Sequence, residues 1–153
     1  SYYEAPSLRM LEHRGRMIDG FRRAGVSHED IDIVMSYDAF AHSPILQFEA
    51  LGFCEIGEGG GYVPGVIGLD GKHPSSIDGG NLAYSHNQIP YNFKQIEIVN
   101  QFRNRVEDLG PGWERGEHTY DRTVCRKVRD PKLSVGCGPL TDARHAFVIL
   151  ARD

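Results

Sequence analysis

IDIVMSYDAFAHSPILQFEALG, residues 31–52, passes from one periodicity to another with only a short connection between them. Ile31 to Met35 is short, apolar and β-branched, the pattern of a strand buried on both faces. Tyr37-Asp38-Ala39-Phe40 follows directly. Ser43 and Pro44 then read as the N-cap and first residue of a helix, because a serine oxygen satisfies an orphan amide and proline has none to satisfy. Ile45, Leu46, Phe48 and Leu51 form the face expected to meet the core, and Gly52 ends the helix.

Upstream, Leu8, Leu11, Ile18 and Phe21 make an apolar stripe that predicts a helix over Leu8 to Ala24, with arginines opposite and Gly25 as a left-handed cap. Ser27 to Asp30 is a polar turn. Downstream, seven glycines between Phe53 and Lys72 predict a long, flexible structural loop. Its Gly57 to Gly61 run lacks the Lys-Ser/Thr ending of a phosphate-binding loop. Ser75 to Asp78 is strand-like and leads to Gly79-Gly80. Phe93, Ile96, Val99, Phe102 and Val106 recur at three- and four-residue steps, predicting a helix from Pro90 to about Leu109 that Gly110-Pro111-Gly112 stops. Strands are expected around Leu133 to Gly136 and from Ala146 to Leu150. This order predicts one layered α/β domain over residues 1–153, with a mixed sheet, helices on both faces and edges that another domain covers.

Composition narrows the function. A formal net charge of −4 argues against a dedicated nucleic-acid binder. No apolar run approaches a membrane span and no signal-peptide pattern opens the chain, so no membrane partner is expected. Cys54, Cys125 and Cys137 show no metal-ligand spacing, and the seven histidines are scattered. Free thiols in a reducing, cytoplasmic setting are expected, with no metal and no tightly bound cofactor. Ser1 rather than Met opens the chain, which leaves room for a start upstream.

Four local patterns, in order, resemble the C-terminal half of the thiolase superfamily, in its sterol-carrier-type and steroid side-chain aldolase branch. Ala24-Gly25 with Asp30-Ile31-Asp32 resembles the family's "AG-x-x-x-x-DID". Tyr37-Asp38-Ala39-Phe40 stands where thiolases carry "NEAF" and the sterol-carrier type "HDCF". Leu51-Gly52-Phe53-Cys54 with Gly57-Glu58-Gly59-Gly60 resembles "LGFC…GEGG". Gly79-Gly80 followed by His86 matches "GG…GHP", which contains the family's catalytic histidine. The departures are Tyr37 for Asn or His, Ser85 for the preceding glycine and Asn87 for the following proline. Cys137, in Gly136-Cys137-Gly138-Pro139, aligns to within about one residue with the cysteine that serves thiolases as acid/base.

The resemblance implies a CoA thioester as substrate and a nucleophilic cysteine in an N-terminal half that is not present here. That half would come from another polypeptide or a further segment. The resemblance also implies a homo- or hetero-oligomer and, for the steroid aldolases, an OB-fold partner. Chemistry beside a thioester carbonyl makes or consumes an enolate, which needs donors at the oxyanion and a group that moves a proton. Tyr37, Tyr84, His86 and Cys137 are the candidate catalytic residues. Tyr84 or Tyr37 would take the proton of a β-hydroxyl, and His86 would stabilise the enolate. Plainer readings stand beside these: His86 as a loop histidine, the tyrosines as core aromatics, Cys137 as a small buried hydrophobe. The expected reaction is retro-aldol cleavage of a 3-hydroxyacyl-CoA such as a steroid side-chain thioester. The alternatives are a true 3-ketoacyl-CoA thiolase, which is an acyltransferase, and a non-catalytic lipid-carrier or scaffold subunit.

Overall fold

The computed structural model describes residues 11, 13–81, 90–106, 127–138 and 146–153, with the backbone alone at 90 and 91. Helix α1 spans Arg14–Ala24, β1 Ile33–Met35, α2 Ser43–Leu51, α3 Gly59–Val66, α4 Pro90–Phe102, β2 Leu133–Cys137 and β3 Phe147–Ala151. Strand β2 is central, parallel to β1 (Ile33 opposite Ser134, Met35 opposite Gly136) and antiparallel to β3 (Val135 opposite Ile149). The sheet is therefore mixed, as expected.

Side chains alternate across this sheet, so each strand feeds two cores. On one face Val34, Val135 and Cys137 pack with Met17 and Phe21 of α1 and Phe48, Ala50 and Leu51 of α2. On the other, Ile33 and Met35 pack with Ile98 of α4 and with Val128. Gly136 belongs to this second face, where a Cβ would meet Ile98 at 3.4 Å. Helices thus cover both sides of the sheet.

The ends of α1 and β1 follow from local chemistry. Gly25 takes φ 68° as the left-handed cap of α1. Ser27 and Asp30 form a capping box around a short 3-10 turn over His28–Asp30, each side chain bonding the other end's backbone. Strand β1 is shorter than residues 31–35, and Asp32 just before it bonds the Leu133 carbonyl through its own N–H at 2.8 Å. Its carboxylate accepts the N–H groups of Lys132 at 2.7 Å and Leu133 at 2.9 Å, fastening the start of β2.

Four expectations need correction. Ser43 is the first helical residue of α2, and His42 occupies the cap. The turn that bonds Ser43 N–H to the Phe40 carbonyl starts the helix one residue early. The glycine-rich segment is not one long loop, since Gly59–Val66 is α3. The buried Glu49 carboxylate accepts the N–H groups of Gly57 and Gly59 at 3.0 and 2.9 Å, doing for these orphan amides what a cap does. A Cβ on Gly59 would lie 2.8 Å from that carboxylate. Residues 75–78 are not a strand. Pro74 accepts one bond from Val34 N–H, but proline has no donor to return, and Ser76 turns away at φ 49°.

The fourth correction concerns α4. It ends at Phe102, where Asn104 adopts φ 57° and Arg105 N–H returns to the Asn100 carbonyl, and residues 107–109 of the expected helix lie outside the described residues. Its buried face is not the Phe93–Ile96 stripe, for those side chains are 38% and 53% exposed. Lys94, Glu97, Ile98 and Gln101 are turned inward instead. Each polar member has a partner: Asp38 for Lys94, and Glu97 and the Val128 N–H for Gln101. The helix period is as expected, but the face is not. The expected start of α1 at Leu8 also falls outside the described residues, whose first α-helical residue is Arg14.

Candidate active site at the carboxyl ends of the parallel strands

In α/β sheets the backbone leaves the carboxyl ends of parallel strands in diverging directions, and binding crevices form there. Here that edge carries Ser36-Tyr37-Asp38 after β1 and Cys137 at the end of β2, with Met35 opposite Gly136 fixing the strands' relative position. Tyr37 and Cys137 therefore stand at the same end of neighbouring strands. Tyr84 and His86 lie outside the described residues. The last described position before them is Asn81, three residues ahead of Tyr84 and five ahead of His86.

Asp38 ties that position to the site. Its carboxylate accepts the Asn81 N–H at 3.2 Å and pairs with the Lys94 ammonium at 2.9 Å. Lys94 is only 1% exposed, so a full positive charge sits in the core with Asp38 as its ion-pair partner. Gly79 and Gly80 bring the chain in at φ 93° and 60°. A Cβ on Gly80 would lie 1.7 Å from the Asp38 carboxylate, so glycine is required at this close approach. The Asn81 side-chain amide nitrogen is buried and has no acceptor among the described residues.

Tyr37 is half-buried, and burial, reinforced by the neighbouring Asp38 carboxylate, raises its phenol above the usual tyrosine range. The hydroxyl is thus protonated at neutral pH and serves as a donor or relay. Cys137 is buried, and loss of solvation pushes its thiol up to about 12, an effect the Lys94 ammonium offsets only in part. A thiol in that setting keeps its proton and is inert as a nucleophile. Cys54 lies away from this edge, against the α1–α2 core, with its thiol pushed up to about 11 by burial and then by Glu49.

Among the described residues no group of three or more His, Cys, Asp or Glu is placed to hold a metal ion, and no helix is long and apolar enough to cross a membrane. An open groove of about 690 Å³ along α1 includes none of the site residues. Of its charged groups, Asp19 pairs with Arg22 and Arg23.

Gln47, Asp38 and Lys94 were not among the residues singled out from sequence. Lys94, Glu97 and Gln101 share a helical period, but polar residues at that spacing read as a solvated face. The resemblance did pass through Asp38, one residue beyond Tyr37, without assigning it a role.

Comparison with known proteins bears on the family and the fold. The family described as "Thiolase C-terminal domain-like" matches residues 5–111. The chain belongs to this family. Within it, the chain is similar to the acetyl-CoA acetyltransferase of Methanothermobacter thermautotrophicus, 39% identical over 44% of this chain and 18% of that protein. It is 34% identical to the benzoylsuccinyl-CoA thiolase subunit BbsB of Thauera aromatica, over 61% of this chain and 24% of the subunit. It is 33% identical to the 17-hydroxy-3-oxo-4-pregnene-20-carboxyl-CoA lyase of Mycobacterium tuberculosis, over 56% of this chain and 23% of the lyase. A solved Ltp2-ChsH2(DUF35) aldolase superposes with a TM-score of 0.67 at 22% identity, over 94% of this chain and 32% of the aldolase chain, and so shares the thiolase-like fold. This thiolase C-terminal domain therefore spans between 18% and 32% of the length of these relatives.

Proposed function

We propose that this thiolase C-terminal domain is one half of an enzyme that cleaves a carbon–carbon bond in a 3-hydroxyacyl-CoA by a retro-aldol reaction, and that a thiolase-like N-terminal half, in the same or another polypeptide, completes the site. The observation that carries this reading is that Tyr37 and Cys137 follow the same ends of neighbouring parallel strands. A hydroxyl stands where the family motif carries Asn or His, while the thiol at the end of the next strand is buried and holds its proton.

The reaction removes the proton of the 3-hydroxyl. The C2–C3 bond then breaks, its electron pair passing to C2 and the thioester enolate, and a carbonyl product leaves. A proton returned to C2 gives the shortened acyl-CoA, so free CoA is not consumed. Tyr37 or Tyr84 takes the hydroxyl proton. Tyr37, protonated at neutral pH, does so as a relay that passes its own proton on toward C2 as it receives the substrate's. His86 stabilises the enolate oxygen, where a preorganised donor contributes most. A steroid side-chain thioester is the proposed acyl class, by similarity to the lyase of that description. The CoA thioester enters as substrate, with no tightly bound cofactor. An oligomeric assembly in the cytoplasm, with an OB-fold partner, completes the proposal.

Tyr37→Phe and Tyr84→Phe in the assembled enzyme are expected to lower kcat at least about 100-fold for whichever tyrosine moves the proton. If both variants turn over like the wild type, the proposal fails. The second reading is a true thiolase, favoured by the 39% identity to an acetyltransferase. It would use Cys137 as acid/base, and Cys137→Ala would then abolish CoA-dependent cleavage of a 3-ketoacyl-CoA. A non-catalytic carrier would bind the thioester without turnover by any variant.

A further inference from the structure

β1 ends at Met35, so the three residues beyond it leave the sheet without a strand to satisfy their backbone. Side chains from three other parts of the chain meet them instead. Ser75 bonds the Ser36 hydroxyl at 2.7 Å, Lys94 holds the Asp38 carboxylate, and Gln47 of α2 takes Tyr37. The Gln47 contact is of a different kind. Its Oε1 accepts the Tyr37 N–H at 2.9 Å, and its Nε2 donates to the Tyr37 carbonyl at 2.5 Å. This is the two-way exchange that a residue on a facing antiparallel strand would make.

Gln47 is 1% exposed, on a helix whose neighbours Phe48, Ala50 and Leu51 are buried and apolar. Burying a primary amide is unfavourable unless its donors and acceptor are used, and an aliphatic side chain would fill the same space. A carboxamide presents a donor and an acceptor side by side, whereas glutamate offers two acceptors and methionine at best a weak one. Holding both the N–H and the C=O of one residue fixes the planes on either side of its Cα. The direction in which the phenol leaves the backbone is fixed with them.

We propose that Gln47 is a positioning residue for Tyr37, whose carboxamide clamps the Tyr37 backbone so that the phenol is presented in one direction at the carboxyl end of β1. The inference rests on the reading of Tyr37 as a working residue, yet its first test needs no turnover. In the full chain, Gln47→Met removes both bonds at similar volume, and Gln47→Glu keeps the acceptor but loses the donor. Amide hydrogen exchange is followed at Val34, Met35 and Tyr37. The Tyr37 ring is titrated by carbon NMR of labelled tyrosine, its signal assigned with Tyr37→Phe.

In Gln47→Met the Tyr37 amide is expected to exchange about tenfold faster, the equivalent of one buried hydrogen bond, while Val34 and Met35 keep their rates. The phenol titration moves toward that of an ordinary tyrosine. In Gln47→Glu the Tyr37 amide stays protected, but the phenol signal shifts. An unchanged phenol in both variants overturns the proposal, as does exchange that rises equally at Val34, Met35 and Tyr37. Should Gln47→Met not fold, an unchanged phenol in Gln47→Glu is sufficient to overturn it. Turnover separates the two ideas. Activity lost in Tyr37→Phe but kept in Gln47→Met defeats the positioning role alone, and activity kept in Tyr37→Phe defeats the functional reading alone.

Discussion

Lys94 is 1% exposed, and Asp38, 2.9 Å away, is its ion-pair partner. Removing one member of such a pair leaves the other charge in a medium that solvates it poorly, a cost of about 3–5 kcal/mol. Asp38→Ala is therefore expected to lower the free energy of urea unfolding by that amount, and a loss below about 1 kcal/mol would show that Lys94 is served by other groups. His73 makes a second prediction. It is 1% exposed, bonded through Nδ1 to the Ile31 carbonyl and packed edge-on against Phe53. Burial holds its imidazole below the usual histidine range, Lys72 and His28 push the same way, and the Ile31 bond and Glu29 oppose them. A depressed histidine means that the unfolded chain takes up the proton first. Its neutral form thus contributes stability that is complete above the ordinary histidine value of 6.5 and is lost as pH falls from there toward the lower folded value. Urea unfolding measured across that window should show a shallower acid limb for His73→Gln than for the wild type. Equal slopes would remove His73 from the account.

At the level of elements, α4 shows most clearly what periodicity does and does not encode. Ile98 is fully buried between the sheet and the helix, whereas Ile96, two residues earlier, is 53% exposed. Ile98→Ala is expected to cost about 2–5 kcal/mol and Ile96→Ser no more than about 0.5 kcal/mol in the chain on its own. Denaturation of the two variants checks this, and the reverse order would restore the face inferred from sequence. The helical spacing of Phe93, Ile96, Val99 and Phe102 was legible because it is intrinsic to the segment. Its orientation was not, because it depends on Asp38 and the Val128 amide meeting Lys94 and Gln101, and those contacts are distant in sequence. The same holds for α3. Three glycines in succession and Pro64 give it poor helix propensity, and the Glu49 carboxylate from α2 supplies the start that the local sequence lacks. Strands β2 and β3, whose signals are local runs of apolar residues, fell within a residue of expectation. At the site, Tyr37 was legible as the residue after a buried strand in a family motif. Gln47 was not, since nothing in a helix sequence marks one glutamine as facing a loop ten residues earlier.

For the molecule as a whole, the thiolase C-terminal fold places Tyr37, the Asp38–Lys94 pair and Cys137 at one end of the mixed sheet. The chain matches no more than about a third of the length of its relatives, and the proposed chemistry needs the other half to enclose a thioester. The central claim is that the assembled enzyme breaks a carbon–carbon bond by moving a hydroxyl proton and not by thiolysis. The two reactions differ in one requirement, for a thiolase consumes free CoA and an aldolase does not. The decisive measurement is turnover of a 3-hydroxyacyl-CoA by the complex recovered with this chain from its native host, assayed with and without added CoA. The account predicts release of a carbonyl product and a shortened acyl-CoA at the same rate in both. Cleavage that is confined to a 3-ketoacyl-CoA and stops when CoA is withheld would contradict it.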